Sequence, residues 1–279
     1  MLHLDRARLF PASKARATTP GDRRRAYGAL LRPVLVNQLA VLLPAMLLVQ
    51  HLGLAFSARS SPAPTHSSSA SPATSAAASP LALLPALPLL ALGHDLTQYH
   101  THRFLLHSAY PPLLRALNHA QHHSTGATRA VTACYMSPAD FFLEIVLPYL
   151  LPLAAVTRLY RYGFGVELGG TPFHALVASA GAIGGLYEHS GHDLAPLLCP
   201  SYASSYPFLR PQFTSPSRAS SVRAPPKPQP GTVRRLLAAL LDNRAHAAHH
   251  VRGSVSFSDG FGSTGVADWA GGTRRDLVA

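Results

Sequence analysis

Histidine is the side chain this sequence makes most available for chemistry: there are 16, against 12 Asp and Glu together. Three clusters stand out. His102 and His107 form H-x4-H, while His119, His122, His123 and His246, His249, His250 both form H-x-x-H-H. On a helix with about 100° per residue, positions i, i+3 and i+4 share about 100° of arc, so each H-x-x-H-H projects its imidazoles from one side. An i, i+5 pair diverges by about 140°. His102 and His107 therefore need a local bulge, a helix end or two different metals. Clustered neutral imidazoles in a chain poor in other charges need a compensating role, and metal ligation is their commonest.

Histidine without cysteine suits Zn, Fe, Cu or Ni. A structural zinc takes only four ligands, so clusters this rich suggest two metals. Beside a membrane, two irons with open positions could act with dioxygen on a lipid C–H bond. The donor types leave iron and zinc both open, and a proton relay or pH sensor is the remaining use of such residues. The two cysteines, Cys134 and Cys199, are too few for a disulfide framework or a thiolate site and read as packing thiols.

The elements that must position these residues look membrane-embedded. Apolar residues make up 47% of the chain and charged ones 13%, about half the share usual in soluble domains. The net charge is +12. The arginines flank apolar runs and are not interleaved with aromatics, which favours a positive-inside membrane protein and no nucleic-acid partner.

Along the chain, residues 1–32 form a basic arm that is not a secretory signal, because its apolar run begins too late. A transit-type peptide is the lesser alternative to an arm lying on an anionic membrane. Residues 33–56 carry no charge and are long enough to span a bilayer. Residues 57–80, rich in Ser, Ala and Pro, read as a disordered loop. Residues 81–200 carry the first two histidine clusters and are expected to form the main catalytic region. Residues 201–232 read as a disordered insertion, and 233–279 as the third box and C-terminal end, with 233–250 a single short helix.

Further apolar segments lie at 81–93, 141–157 and 172–187, with Glu144, Pro148 and Pro152 interrupting 141–157. The fold expected is all-α: an integral membrane helical bundle of about four apolar segments, with a cytosolic histidine-rich metal-binding cap and disordered insertions. Parity supports the cap. With the basic arm cytosolic, each pair of segments returns the chain to the cytosol, before His102 and again before His189.

At these residues the chain resembles the fatty acid hydroxylase/sterol desaturase superfamily of membrane di-iron oxygenases. Asp95, Tyr99, His102, Arg103 and His107 look like the first histidine box, and His119–His123 like the second. Tyr135, Pro138 and Asp140 stand in a Tyr-x-His-Pro-x-Glu segment, with Ser137 and Asp140 departing from it. Glu188–His192 is similar to a His-(Ser/Cys)-Gly-Tyr segment, His192 replacing the aromatic. His246–His250 with Asp268, Trp269 and Thr273 match the third box and its Asp-Trp…Gly-Thr ending, although Ala247 stands where Asp is usual.

The resemblance implies two non-haem Fe ions held by His102, His107, His119, His122, His123, His246, His249 and His250, with His189 as a further ligand. Asp95, Arg103, Asp140, His192 and Asp268 are candidates for supporting those ligands. For Arg103 a structural ion pair with Asp95 or Asp140 is favoured. For Asp268 a hold on a ligating histidine competes with a plain helix cap. The implied partners are dioxygen, a membrane lipid (sterol, sphingoid base or fatty acyl chain) and electrons from NAD(P)H through cytochrome b5 or a reductase. The implied location is the endoplasmic reticulum membrane, and hydroxylation and desaturation both fit. The alternatives are a catalytically inactive relative and a histidine-rich zinc-binding or pH-sensing membrane protein.

Overall fold

A computed structural model of the chain describes residues 20–51, 84–166, 168, 171–199, 231–258 and 262–274. The loop expected at 57–80 and nearly all of the insertion expected at 201–232 lie outside them. Every regular element among the described residues is helical.

Helix α1 runs without a break through Pro20–Val36, a π-helical stretch Asn37–Leu42, and Leu43–His51. It begins well inside the arm expected at 1–32. Helix α2, Ala86–His100, continues as a π-helical turn, Thr101–Leu106. Two short helices follow, α3 (Pro111–Leu117) and α4 (Ala120–His123). Asn118, at φ 53°, takes the left-handed conformation that ends α3 and turns the chain into His119. A 3₁₀ turn, Ala130–Cys134, leads to α5, Pro138–Gly163. Then come α6 (Thr171–Glu188), α7 (Ala195–Leu198), α8 (Thr232–Leu240), α9 (Arg244–Arg252) and α10 (Val266–Ala270).

Two of these helices, over Tyr27–Val49 and Pro138–Gly163, are long and apolar enough to cross a membrane. The second is a correction to the short, interrupted segment expected at 141–157. Ser137 starts α5 early by accepting the Asp140 N–H at its Oγ, 3.1 Å, while its own hydroxyl donates to the Leu117 carbonyl at 2.5 Å. The π-helical stretch Phe142–Val146 then precedes Pro148, where a regular helix would lose a bond and clash. Pro152 faces Gly93 of α2. A Cβ on Gly93 would come 2.7 Å from that of Pro152, so the close α2–α5 approach requires glycine there.

The core gives the helices their directions. Val49, Ala86, Leu90, Leu153, Val156, Tyr160 and Leu168 form one cluster, against which Val177 also packs. That joins the end of α1, the start of α2, the later part of α5 and the first half of α6. Asn37, fully buried in α1, donates to the carbonyls of Cys134 (3.1 Å) and Met136 (2.9 Å), just ahead of α5. The four long helices thus alternate in direction. His102 at the end of α2, Asp140 at the start of α5 and His189 after α6 meet at the end opposite the cluster.

The helix expected over 233–250 is two helices, α8 and α9. Asp242 Oδ1 accepts the Arg244 N–H at 3.1 Å. Asn243 sends its amide to three carbonyls, Tyr187 (3.1 Å), Glu188 (2.9 Å) and His192 (2.9 Å). These bonds break the helix after Leu241, and Asn243 ties the start of the third box to the His189 loop.

Candidate metal centre

Nine histidines converge in two groups. One holds His102, His107, His119, His123 and His249, and the other His122, His189, His246 and His250. Within each group one ligating atom per residue lies within 4.8 Å of all the others. The groups adjoin, with the His123 and His250 rings 4.7 Å apart.

The i, i+5 spacing of His102 and His107 is solved by the π-helical turn. The His107 N–H donates to the His102 carbonyl at 2.9 Å, an i to i+5 bond that brings both rings to one face, centroids 5.0 Å apart. The two H-x-x-H-H boxes divide reciprocally. In the second box the i, i+4 pair His119 and His123 joins the five-histidine group, and His122 the other. In the third box His246 and His250 join the four-histidine group, and His249 the other. Each box therefore stitches the two groups together.

The ring nitrogens show what the groups require. His102 Nδ1 donates to the Phe257 carbonyl at 2.6 Å, and His249 Nδ1 to the Val255 carbonyl at 2.8 Å. His119 Nδ1 faces Asp140 Oδ1 at 2.9 Å. A carbonyl or carboxylate oxygen only accepts, so Nδ1 carries the proton in each, and on the neutral rings of His102 and His249 Nε2 is a bare lone pair. Yet His102 Nε2 and His119 Nε2 stand 3.1 Å apart, and His249 Nε2 and His246 Nε2 lie 3.2 Å and 3.0 Å from His123 Nε2 and His189 Nε2. Burial, then the neighbouring imidazoles, push His107 down to about 3, and burial first pushes His123 down to about 4. The same causes hold His102, His122, His189, His246, His249 and His250 below the ordinary value. Neutral lone pairs aimed at one another in a buried site are mutually repulsive unless a cation lies among them. The donor set fits that cation.

The two carboxylates Asp95 and Asp268 act one layer further out. Asp268 accepts from Phe257 N (2.9 Å), Ser258 N (2.7 Å) and Thr273 Oγ1 (2.6 Å). Asp95 accepts from Thr264 Oγ1 (2.6 Å) and Ala267 N (3.1 Å). The Ser258 hydroxyl lies between them, 2.5 Å from Asp95 and 3.0 Å from Asp268. Together they fix the 255–258 segment, whose carbonyls orient His249 and His102. Asp268 thus holds a ligand's carbonyl partner and touches no histidine itself.

One expectation fails: Arg103 pairs with neither Asp95 nor Asp140. Its Nη1 bonds the Tyr99 hydroxyl and lies 3.3 Å from the Gly271 carbonyl, with the guanidinium over the Tyr99 and Phe104 rings. Asp95 is already satisfied by hydroxyls and a backbone N–H, leaving Arg103 to stack on aromatics. His192 joins neither group, because its Nδ1 turns back to the Ser190 carbonyl at 2.9 Å.

Sequence reasoning missed two participants. Glu144, buried in the π-helical part of α5, lies 3.4 Å from His119 Nδ1 and 3.6 Å from His122 Nε2, touching one ring of each group. Its signal was a lone carboxylate in an apolar run, one helical turn after Asp140. Phe257 packs its ring on His102, His107 and His249 with centroids 5.8, 5.4 and 5.6 Å away, and keeps water from that group.

No curated protein and no solved structure matches the chain. A family model described as fatty acid hydroxylase matches residues 87–213. The match takes in the first two boxes and His189, and it ends before His246. Across that region, which supplies six of the nine converging histidines, the chain is similar to the fatty acid hydroxylase family.

Proposed function

We propose that the chain is a membrane-bound, non-haem di-iron oxidoreductase that uses dioxygen to hydroxylate or desaturate a lipid. The observation that carries this is the convergence of nine imidazoles into two adjoining groups with ring nitrogens facing one another. Two bound irons would supply the redox chemistry that lets dioxygen take hydrogen from an unactivated C–H bond. In hydroxylation one oxygen atom enters the lipid and the other leaves as water. In desaturation both leave as water. Either outcome consumes two electrons and two protons, with electrons from NAD(P)H through cytochrome b5 or a reductase.

The chain's own residues contribute position and dryness. The carbonyls of Val255 and Phe257 and the Asp140 carboxylate orient three rings. Phe257 shields one side of the five-histidine group. The long helices provide an apolar path for a lipid tail, a sterol, sphingoid base or fatty acyl chain. The alternation of α1, α2, α5 and α6 supports a bundle crossing a membrane, which this reading takes to be that of the endoplasmic reticulum with the histidines on its cytosolic face.

Replacing His122 and His123 with Ala takes one ligand from each group. Product formation, followed by comparative lipid analysis of cells with and without the variant, should disappear, and bound metal should fall. Unchanged turnover would sink the assignment. The rival reading, a zinc-binding relative without turnover, is favoured by Ala247, which puts an apolar side chain beside His246 where the resemblance leads one to expect Asp. Metal analysis of detergent-purified chain separates them: about two irons per chain favours the oxygenase, and one tight zinc the rival.

A further inference from the structure

Helix α8, Thr232–Leu240, has its apolar side turned away from the protein. It packs through Ala238, which meets Ala195 and Cys199. At about 100° per residue, Val233, Leu236, Leu237 and Leu240 share one arc of about 100°, and Ala238 lies about 150° from its centre. Those four side chains are 69%, 65%, 45% and 40% exposed, so the stripe covers no core. Arg234 and Arg235, also exposed, flank Ala238 on either side.

The position of α8 identifies what covers it. The Tyr187 hydroxyl donates to the carbonyl of Leu241, just past α8, at 2.6 Å. Tyr187 lies in the last turn of α6, so α8 ends at the level where that apolar helix ends. The chain then needs only Asp242 and Asn243 to enter α9, the helix carrying His246, His249 and His250.

We infer that α8 lies in the plane of the bilayer surface, its Val/Leu stripe in the acyl-chain boundary and Arg234 and Arg235 reaching up to anionic headgroups. The helix is sandwiched between the histidine-bearing cap and the lipid, and it ties the third box to the membrane. This rests on the reading of the chain as membrane-embedded. An apolar face opposite the protein contact, bordered by arginines whose stems can extend to the headgroup layer, is the arrangement of an interfacial helix. A protein partner would have no reason to require that level or that charge.

The full chain in lipid nanodiscs tests this by tryptophan fluorescence. Trp269, the single tryptophan, is first replaced by Phe, and a reporter is then introduced as Leu236→Trp, Arg235→Trp or Leu151→Trp. Leu151 is 53% exposed on α5 and reports on membrane insertion itself. Bromine-labelled acyl chains should quench the reporters at 151 and 236, and aqueous iodide should reach only the one at 235. Carrying the bromine on phosphatidylserine instead of phosphatidylcholine should strengthen quenching at 236. Arg234→Gln with Arg235→Gln should remove that preference, which is about fivefold per arginine.

Iodide access at 236 with lipid quenching intact at 151 overturns the proposal and leaves the membrane reading standing. So does a reporter at 236 that neither quencher reaches, since protein would then cover the stripe. Loss of lipid quenching at 151 overturns both. Equal quenching by the two headgroups overturns the role given to the arginines.

Discussion

The two histidine groups share their residue type and their burial, but not their support. In the five-histidine group, His102, His249 and His119 each hand an Nδ1 proton to a fixed oxygen, on Phe257, Val255 and Asp140. In the four-histidine group, neither nitrogen of His122 or His250 has a hydrogen-bond partner among the described residues, and nor does His189 Nδ1. Oxygen partners fix a ligating imidazole's tautomer and orientation and raise its basicity, and losing one typically costs about 10–100-fold in metal affinity. On the two-metal reading proposed above, the sites should therefore be unequal, with the four-histidine site the labile one.

The largest effect expected is on which metal survives. His250→Ala removes a ligand from the weakly supported group, and His249→Ala one from the strongly supported group. Each should lower bound metal by about half. The metal left after His250→Ala should then resist a chelator at about 100-fold higher concentration than the metal left after His249→Ala. Equal chelator sensitivity would break the comparison.

A second test attacks the support itself. Asp268→Asn replaces one carboxylate oxygen by an amide whose hydrogens would meet the Phe257 or Ser258 N–H. The 255–258 segment should loosen, and with it His102 and His249. The five-histidine site should weaken by about 10–100-fold, towards its neighbour. Stability should fall by about 1–3 kcal/mol for the buried donor left unpaired. Chelator titration and thermal unfolding in detergent read the two effects. A stability loss with the affinity gap intact would mean that Asp268 serves the fold alone.

Much of this centre was legible in the residue order. Repeated H-x-x-H-H spacing and the family's landmarks single out the nine histidines that converge. Their partition was not legible, because whether His122 turns with or against His119 depends on how α4 and α9 cross. Nor does the H-x4-H spacing reveal its π-helical turn, since a bulge, a helix end and two separate metals all satisfy it. Glu144 reads in sequence as an interruption of an apolar run, and only the fold turns it toward His119 and His122. Arg103 was misjudged because charge pairing ignores competition. Ser258, Ser263, Thr264 and Ala267 had already taken the Asp95 oxygens.

Glu144→Gln probes the seam between the groups. The side chain touches one ring on each side, so putting an amide in place of an acceptor oxygen should loosen both metals, by about tenfold each, and leave their order of release unchanged. An effect confined to one site would show that Glu144 belongs to that site alone, and would sharpen the comparison.

The smallest effect expected is on the metal-free protein as pH changes. In the folded chain His123 is held down to about 4 and His107 to about 3, both by burial first, against an ordinary 6.5. On acidification the unfolded chain takes up protons from about 6.5 downward while the folded rings refuse them. The stability these rings contribute is complete above 6.5, shrinks as pH falls and is lost through about 4 and about 3. Thermal unfolding of the apo protein should therefore be flat with respect to these rings above pH 6.5 and decline below it. In the loaded protein the same protons compete with metal for the imidazoles. Because fewer oxygen partners hold the rings of the four-histidine group in place, its metal should leave first. Acid titration followed by metal analysis should then show two steps, and a single concerted release would count against two unequal sites.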